Sequence, residues 1–300
     1  KKVQSNLAAD ELLKSSQKGG LSPPQLTALV FLALGASWVI EYWAAATNEG
    51  AFSKACSKYY QTSEPCTEVD AFVIRTKFHS SIISFVLVLV TTLLCWYDDK
   101  LLQSLNYCLC ASPIALTIGV LAMSEGCNSN ALVPDEVNRV VFVGIALIAL
   151  AVVSSAVGTA SLKKPQLNSL YDSSWMSFAL AIIVEAMSFA KGGVEGYTNA
   201  NPTDITDGAE CAVNFIAIDK ATIAALVAFG LYFFDESRKN TMMFVIALSN
   251  LAKLFFQLPE QEAGLRDPEM ERKVLFGTAI FTGVLSFLPS RYQKHASTLT

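Results

Sequence analysis

Three ionisable residues stand inside long apolar runs: Glu41 in Val39-Ile40-Glu41, Glu185 in Ile183-Val184-Glu185, and Lys253 between Ala252 and Leu254. Charge at bilayer depth is costly, so such groups are turned inward and paired, and they mark ion paths or helix contacts. Two chemistries are open to them. Glu41, Glu185 and Lys253 can line a route for protons or cations. Alternatively they are packing groups, with Glu185 bonding Lys253 to orient one helix on another. Weaker candidates are Asp204, Asp207 and Glu210 in the stretch NPTDITDGAE. Oxygen-rich loops hold calcium, but this spacing is not that of a helix-loop-helix calcium site, and the run reads as a solvated acidic loop.

Other chemistry is poorly represented. The chain has 2 histidines, His79 and His295, which lie far apart in sequence and do not suggest a bis-histidine haem bundle. There is no nucleophile elbow, phosphate-binding loop, HExxH or dinucleotide fingerprint, so no enzyme activity and no metal or cofactor is expected. Lipids are the expected ligands. Chlorophyll or carotenoid stays open, since carboxylates or waters can ligate magnesium, but no motif speaks for it.

The elements that must position these residues emerge from composition. In 300 residues, 52% are apolar and only 16% charged, against roughly 25% charged in a soluble domain. The mean hydropathy is +0.41. Net charge is −4, and no basic stripe exists to neutralise phosphates, so nucleic acid is excluded as a partner. The charge deficit is concentrated in runs near the ~20 residues of a spanning helix. They fall at about 25–46, 78–97, 103–123, 140–161, 174–190, 221–234, 241–258 and 274–290. Charged or Gly/Pro-bearing cuts separate them, among them 47–77, Asp98-Asp99-Lys100, 124–139, 191–220 and 235–240. Outer-membrane strands alternate over about ten residues, and these runs do not. The expectation is an all-α, polytopic integral membrane protein of about eight spans. Residues 1–22 have no apolar stretch, do not read as a signal peptide, and form a polar tail.

Eight spans place both termini on one side. Lys and Arg then divide 11 to 10, with Lys253 left inside a span, so the positive-inside rule barely decides orientation. Acids divide 7 to 17. The termini are placed on the cytosolic (or stromal or matrix) side. Cys56, Cys66, Cys127 and Cys211 all fall in loops on the opposite face, while Cys95, Cys108 and Cys110 sit in or beside spans. Such segregation points to an oxidising compartment on that face. Cys56 and Cys66 can bridge one loop, and Cys127 can pair with Cys211 between loops. The only Asn-x-Thr sequence, Asn201-Pro202-Thr203, is blocked by its proline, which fits a vesicle or organelle membrane.

The two halves of the chain resemble each other. Glu41 matches Glu185, Glu49-Gly50 matches Glu195-Gly196, and Cys66 matches Cys211. The run Phe72 to Lys77 matches Phe215 to Lys220, and Tyr97-Asp98 matches Phe234-Asp235. Pro134, Arg139 and Phe142 match Pro268, Arg272 and Phe276. The offset drifts from 144 to 134 residues, as small loop deletions would produce. The chain therefore divides into a tail (1–22), a first four-span repeat (23–162), a cytosolic linker (163–173), a second four-span repeat (174–290) and a C-terminal tail (291–300). With four spans per unit the repeats are parallel, and any pseudo-twofold axis runs along the membrane normal.

Each unit resembles the four-span MARVEL family, and within it the synaptogyrin and synaptophysin branch. The resemblance is carried by Asn48-Glu49-Gly50-Ala51-Phe52 and by Val194-Glu195-Gly196-Tyr197-Thr198-Asn199, each just after the first span of its unit. The Cys56-to-Cys66 spacing and the last span, with Phe276, Ala279, Phe281 and Arg291-Tyr292, extend it. The chain departs from the family in fusing two units and in having one loop cysteine in the second. The resemblance implies membrane organisation, vesicle trafficking or packing against a larger membrane complex, with lipids and other membrane subunits as partners. It carries over no catalytic residue. Three functions are thus expected in order: a non-enzymatic scaffold or accessory subunit; a proton- or cation-conducting transporter using Glu41, Glu185 and Lys253; and a pigment-associated subunit of a photosynthetic assembly.

Overall fold

The computed structural model describes residues 20–48, 68–110, 157–163, 170–199, 205–261 and 264–287, with scattered positions between 138 and 152. These residues are helical throughout, apart from turns and one antiparallel bridge, Thr198 to Leu265. In chain order the helices are α1 (Pro23–Thr47), α2 (Glu68–Cys95), α3 (99–110), α4 (Leu170–Tyr197), α5 (Asp207–Phe233), α6 (Glu236–Ala252) and α7 (Pro268–Phe287). Helix α6 continues through a π-helical turn, Lys253–Gln257, into Leu258–Gln261.

Local chemistry explains where the helices begin. Ser22 and Gln25 form a reciprocal capping box ahead of Pro23 and Pro24, whose missing N–H groups cost nothing in a first turn. Thr206 caps α5 by accepting from the Ala209 N–H at 3.2 Å. Asp98 accepts from Leu101 N–H at 3.0 Å, and Asp235 from Arg238 N–H at 2.9 Å. Each tight turn between spans thus carries its own cap.

Among the described residues, four helices are long and apolar enough to cross a membrane: α1 through Ala45, α2, α4 and α5. Two begin earlier than hydropathy predicts. The stretches 47–77 and 191–220 read as loops in the sequence, yet α2 starts at Glu68 and α5 at Asp207. The first turn of α2 carries a charge that is engaged between helices. Asp70 on α2 accepts from the Thr206 hydroxyl at the start of α5, and the Asp70 side chain is inside the bundle. Helix α6 is only 17 residues long before its π turn, and α7 opens on the charged run Glu269-Met270-Glu271-Arg272-Lys273, so neither is among the four. Apolar runs near 103–123 and 140–161 extend beyond the described residues.

The helices alternate in direction. One end gathers Ser22, the 95–99 turn, residues 160–163 and the starts of α4 and α6. Ser22 Oγ donates to Asp99 at 2.6 Å, Ala160 N–H to Lys100 O at 3.2 Å, and Lys163 N–H to Tyr232 O at 2.9 Å. Tyr171 donates to Asn240 at 2.6 Å, and Lys239 pairs with Asp172 at 2.9 Å. The opposite end gathers the starts of α2, α5 and α7. Laterally, α1 packs on α2, α2 on α5 and α5 on α4, while α7 packs on α6.

A continuous apolar core fills the Ser22-end half. Its largest members include Trp175 and Phe178 of α4, Leu226 of α5 with Phe234 at its end, and Met242 and Met243 of α6. Within this core α5 makes a close crossing at Gly230, where a Cβ would lie 2.9 Å from the Trp175 ring and 3.2 Å from the Met242 sulfur. Only glycine lets α5 come this close. Overpacking a buried contact costs about 1–3 kcal/mol. Gly230→Val should therefore lower the thermal unfolding midpoint in detergent, whereas Gly277→Ala, which meets nothing within 4 Å, should leave it nearly unchanged.

Candidate functional site

The ionisable residues converge at mid-depth on α4, α5 and the π turn. Glu185 lies about 22 Å along α4 from Leu170, Lys220 about 20 Å before Phe233, and Lys253 about 26 Å beyond Glu236, at 1.5 Å per residue. Lys220 Nζ donates to Glu185 Oε1 at 2.5 Å, with 12% of the lysine side chain and 35% of the glutamate side chain exposed. Phe189, one turn along α4, lies 5.8 Å from the same ammonium. The partner that the sequence suggests for Glu185 is Lys253; the direct ion pair is instead with Lys220. Helices α4 and α5 are hairpin neighbours in close packing, whereas Lys253 reaches the pair from α6. Its ammonium faces that of Lys220, with Glu185 and Glu271 as the nearby carboxylates.

The π turn begins at Lys253. One extra residue in a helical turn rotates the side chains beyond it, and such turns recur at functional sites. Here the rotation places Lys253, Gln257 and Leu258 on one wall of a cavity of about 30 Å³. The other walls are Thr76 and Ser80 of α2, Phe189 and Tyr197 of α4, Ile216 and Lys220 of α5, Leu265, and Glu271 and Leu275 of α7. A water needs about 10–15 Å³ on this measure, so the cavity holds about two.

A second polar cluster adjoins the first on α5, its carboxylate also near Lys220 and Lys253. Asp219 accepts from Ser81 Oγ at 2.8 Å and lies beside Lys77. The Lys77 ammonium sits 4.2 Å above the Tyr42 ring, which stacks on Phe78 at 4.6 Å. Lys77 and Lys220 fall in loops on the sequence reading; both belong inside helices, and their neutralising partners explain why. The signal is present in the matching Phe72-to-Lys77 and Phe215-to-Lys220 runs. Asp219 and Glu271 have no such signal.

Toward the Thr206 end, α4 breaks at Gly193. Its φ of 57° and ψ of −160° interrupt α4 in a region open essentially to glycine alone. A Cβ there would also meet the Glu210 carboxylate at 2.8 Å. Glu210 accepts from the Val194 N–H at 3.2 Å, which re-anchors the helix beyond the break. Asn199 Nδ2 to Leu265 O at 2.7 Å and Arg266 N–H to Tyr197 O at 3.1 Å then lock Tyr197 at the cavity.

The remaining sequence candidates are scattered. Glu41 lies on α1, which packs on α2 rather than on α4, so the structure does not gather it with Glu185. Cys211 is buried near the start of α5 and disulfide-bonded, its partner lying outside the described residues. Cys56, Cys66 and Cys127 also lie outside them, as does Asp204. Cys95, Cys108 and Cys110 are not disulfide-bonded. Asp207 and Glu210 are in the first turn of α5, not in a loop, where their charge complements the helix N-terminus. His79 is within α2.

No protein-family model, curated protein or solved structure matches the chain. The described residues define an all-helical protein with four helices able to cross a membrane.

Removing one partner of a buried ion pair strands the other, at about 3–5 kcal/mol, whereas replacing both by apolar groups is far less costly. With Glu185 partly exposed, Glu185→Gln should destabilise by about 3 kcal/mol, at the low end of that range. The double variant Glu185→Leu/Lys220→Met should recover much of the loss. Unfolding of the wild type, Glu185→Leu, Lys220→Met and the double variant in detergent gives the coupling, and additive losses would mean the pair contributes nothing.

Proposed function

We propose that the chain is a multi-pass membrane protein of eight spans, built as two parallel four-span units at 23–162 and 174–290, that acts as a non-enzymatic scaffold or accessory subunit. This is the role implied by its resemblance to the MARVEL family. The observation that carries the reading is how the buried polar groups are used. Asp172–Lys239, Glu185–Lys220, Asp70–Thr206 and Ser22–Asp99 each tie one helix or turn to another, and the Ser22-end half is filled with apolar side chains. Such a bundle is held in one arrangement, as a packing surface needs. Its outer faces are apolar, with Ile40 and Trp43 of α1, Val184 and Met187 of α4, and Phe276 and Phe287 of α7 exposed. Lipid and neighbouring helices are the partners such faces accept.

The helix order α1, α2, α5, α4 supports the duplication, because a twofold axis between α2 and α5 would exchange α1 with α4. Moving Lys77 and Lys220 out of the loops tips the basic residues toward the side of the termini, which favours a cytosolic (or stromal or matrix) placement there.

A second reading, ion translocation, is favoured by the charged cavity at mid-depth. It draws on Glu185 and Lys253 but not on Glu41, and two ammonium groups in the lining count against a cation.

Purification from native membrane in mild detergent, with mass spectrometry of the proteins that accompany the chain, separates the readings. Stoichiometric membrane-protein partners are expected, with no flux of protons or alkali cations in proteoliposomes above empty vesicles. A chain that purifies alone and dissipates an ion gradient, with the flux lost in Glu185→Gln, would overturn the scaffold reading.

A further inference from the structure

Helix α3 repeats α6. The alignment that sets Tyr97-Asp98 on Phe234-Asp235 also sets Leu105, Leu109 and Cys110 on Met242, Ile246 and Ala247, and all six of these side chains are buried. Both helices open on the same aspartate cap, at Asp98 and at Asp235. Helix α6 carries α7 as its antiparallel neighbour. Phe244 lies against Phe287 with ring centroids 6.2 Å apart, and a Cβ on Gly283 would sit 3.9 Å from the Ala247 Cβ. In the first unit the counterpart of α7 is the helix whose described positions lie between 138 and 152. That helix has an open face. Val141, Ile145, Ile148 and Val152, spaced by four, three and four, form one stripe and are between 40% and 63% exposed. With Phe142 set on Phe276, the first three match Leu275, Ala279 and Thr282 of α7, which are at most 6% exposed. Phe142 and Phe276, off the stripe, are exposed in both units. The stripe that is covered in the second unit is therefore uncovered in the first.

The chain itself supplies the occupant. From residue 99 to Cys110, α3 rises about 18 Å, little more than half of the ~30 Å hydrocarbon thickness, and its apolar run continues to 123. Ala160 N–H donates to Lys100 O at 3.2 Å and to Ser104 Oγ at 3.0 Å, so the chain that leaves α3 at Cys110 returns beside its start. Carrying the α6–α7 contacts over by the same alignments sets Tyr107 beside Val153 and Cys110 beside Ala149. Continuing that antiparallel register sets Cys108, Ser112, Ala115 and Gly119 opposite Val152, Ile148, Ile145 and Val141. Each large side chain of the open stripe thus meets a small one, and small residues at this spacing let two helices approach closely in a membrane.

We propose that residues 111–123 extend α3 across the membrane and dock their small-residue stripe on Val141, Ile145, Ile148 and Val152, repeating the α6–α7 hairpin in the first unit. Pro113 falls on Asn250, three residues before the π turn, so both third helices are interrupted at the same depth. The open stripe is then an internal face, and lipid or a partner subunit meets the Phe142 and Phe276 sides. The inference rests on the eight-span duplication proposed above and adds to it a contact face and a register.

The test uses the full chain in native membranes. Ala149→Cys puts a second thiol beside native Cys110, which is not disulfide-bonded. A disulfide needs Cβ atoms about 3.5–4.5 Å apart, the separation found between Ala247 and a Gly283 Cβ. After oxidation with copper phenanthroline, non-reducing peptide mapping should show residues 110 and 149 linked within one chain. Val152→Cys should link to native Cys108, and the double variant Ala247→Cys/Gly283→Cys should link as the reference. Ala151→Cys, on the opposite side of its helix from Ala149, should not link to Cys110. Independently, Ala115→Leu should lower the thermal unfolding midpoint in detergent, and adding Ile145→Ala should restore part of the loss. If the reference pair links but neither Ala149→Cys nor Val152→Cys does, the stripe faces lipid, and the docking is overturned while the eight spans stand. Links between two chains would assign the stripe to a second copy and overturn it equally. Labelling of the introduced thiol of Ala149→Cys by a membrane-impermeant maleimide in sealed vesicles would overturn the eight-span reading itself.

Discussion

An ammonium group cannot remain alone inside a helical bundle of this composition, and the pairing of Lys220 fixes much of the rest. Its partner, Glu185, sits midway along α4, so the contact sets the register of α4 against α5. That register places Trp175 over Gly230, and Gly230 is the residue that allows the ring, α5 and Met242 to meet. A shift of one residue would break the ion pair and drive the ring into a side chain. Polar pairing at mid-depth and apolar packing at the Ser22 end therefore enforce the same arrangement.

The bundle is divided along its length. Toward the Ser22 end from the ion pair it is dry and dense, with Phe178, Ile182, Ile223 and Ile246 filling the space between helices. Toward the Thr206 end, two breaks in helical geometry make room. The π turn at Lys253–Gln257 turns polar side chains inward, and Gly193 bends the end of α4 so that Tyr197 reaches Leu265. Neither break is compensated within its own helix. The α4 break is held by Glu210 of α5, and the segment beyond it by the stretch Gly264 to Arg266. The Thr206-end half, which has its own apolar cluster of Val73, Ile74, Phe78, Val194 and Val213, thus also depends on contacts between elements distant in sequence.

This division explains why some elements were legible in the sequence and others not. Hydropathy located the α1, α2, α4 and α5 runs because their interiors expose or bury apolar side chains over more than a bilayer's thickness. It misplaced the starts of α2 and α5, since it treats every charge as a sign of water. Lys77 and Lys220 are charged but lie against Tyr42 and Phe189 with carboxylates at hand. Glu185 and Lys253 were legible as site residues because each interrupts an apolar run. Lys220 was visible only through its match to Lys77, and Glu271 not at all, because the start of α7 looks like any charged helix end.

The matched lysines also show how one plan can yield two different interiors. Under the proposed duplication Lys77 corresponds to Lys220, and Glu41 to Glu185. The next residue differs: Tyr42 in the first unit, Ala186 in the second. The Tyr42 ring covers Lys77 and stacks on Phe78, filling the space beside the ammonium. Alanine at 186 supplies no such ring, and Lys220 meets a carboxylate and a cavity instead. The Thr76 and Asp219 positions diverge in the same sense. Thr76 lines the cavity beside Lys220, while Asp219 supplies a carboxylate beside Lys77. One lysine is thereby covered by an aromatic ring beside an acid, and the other, paired with Glu185 near Phe189, also lines a small cavity. Under the proposed duplication, differences on either side of the α2–α5 contact accompany a filled space beside Lys77 and a small cavity beside Lys220.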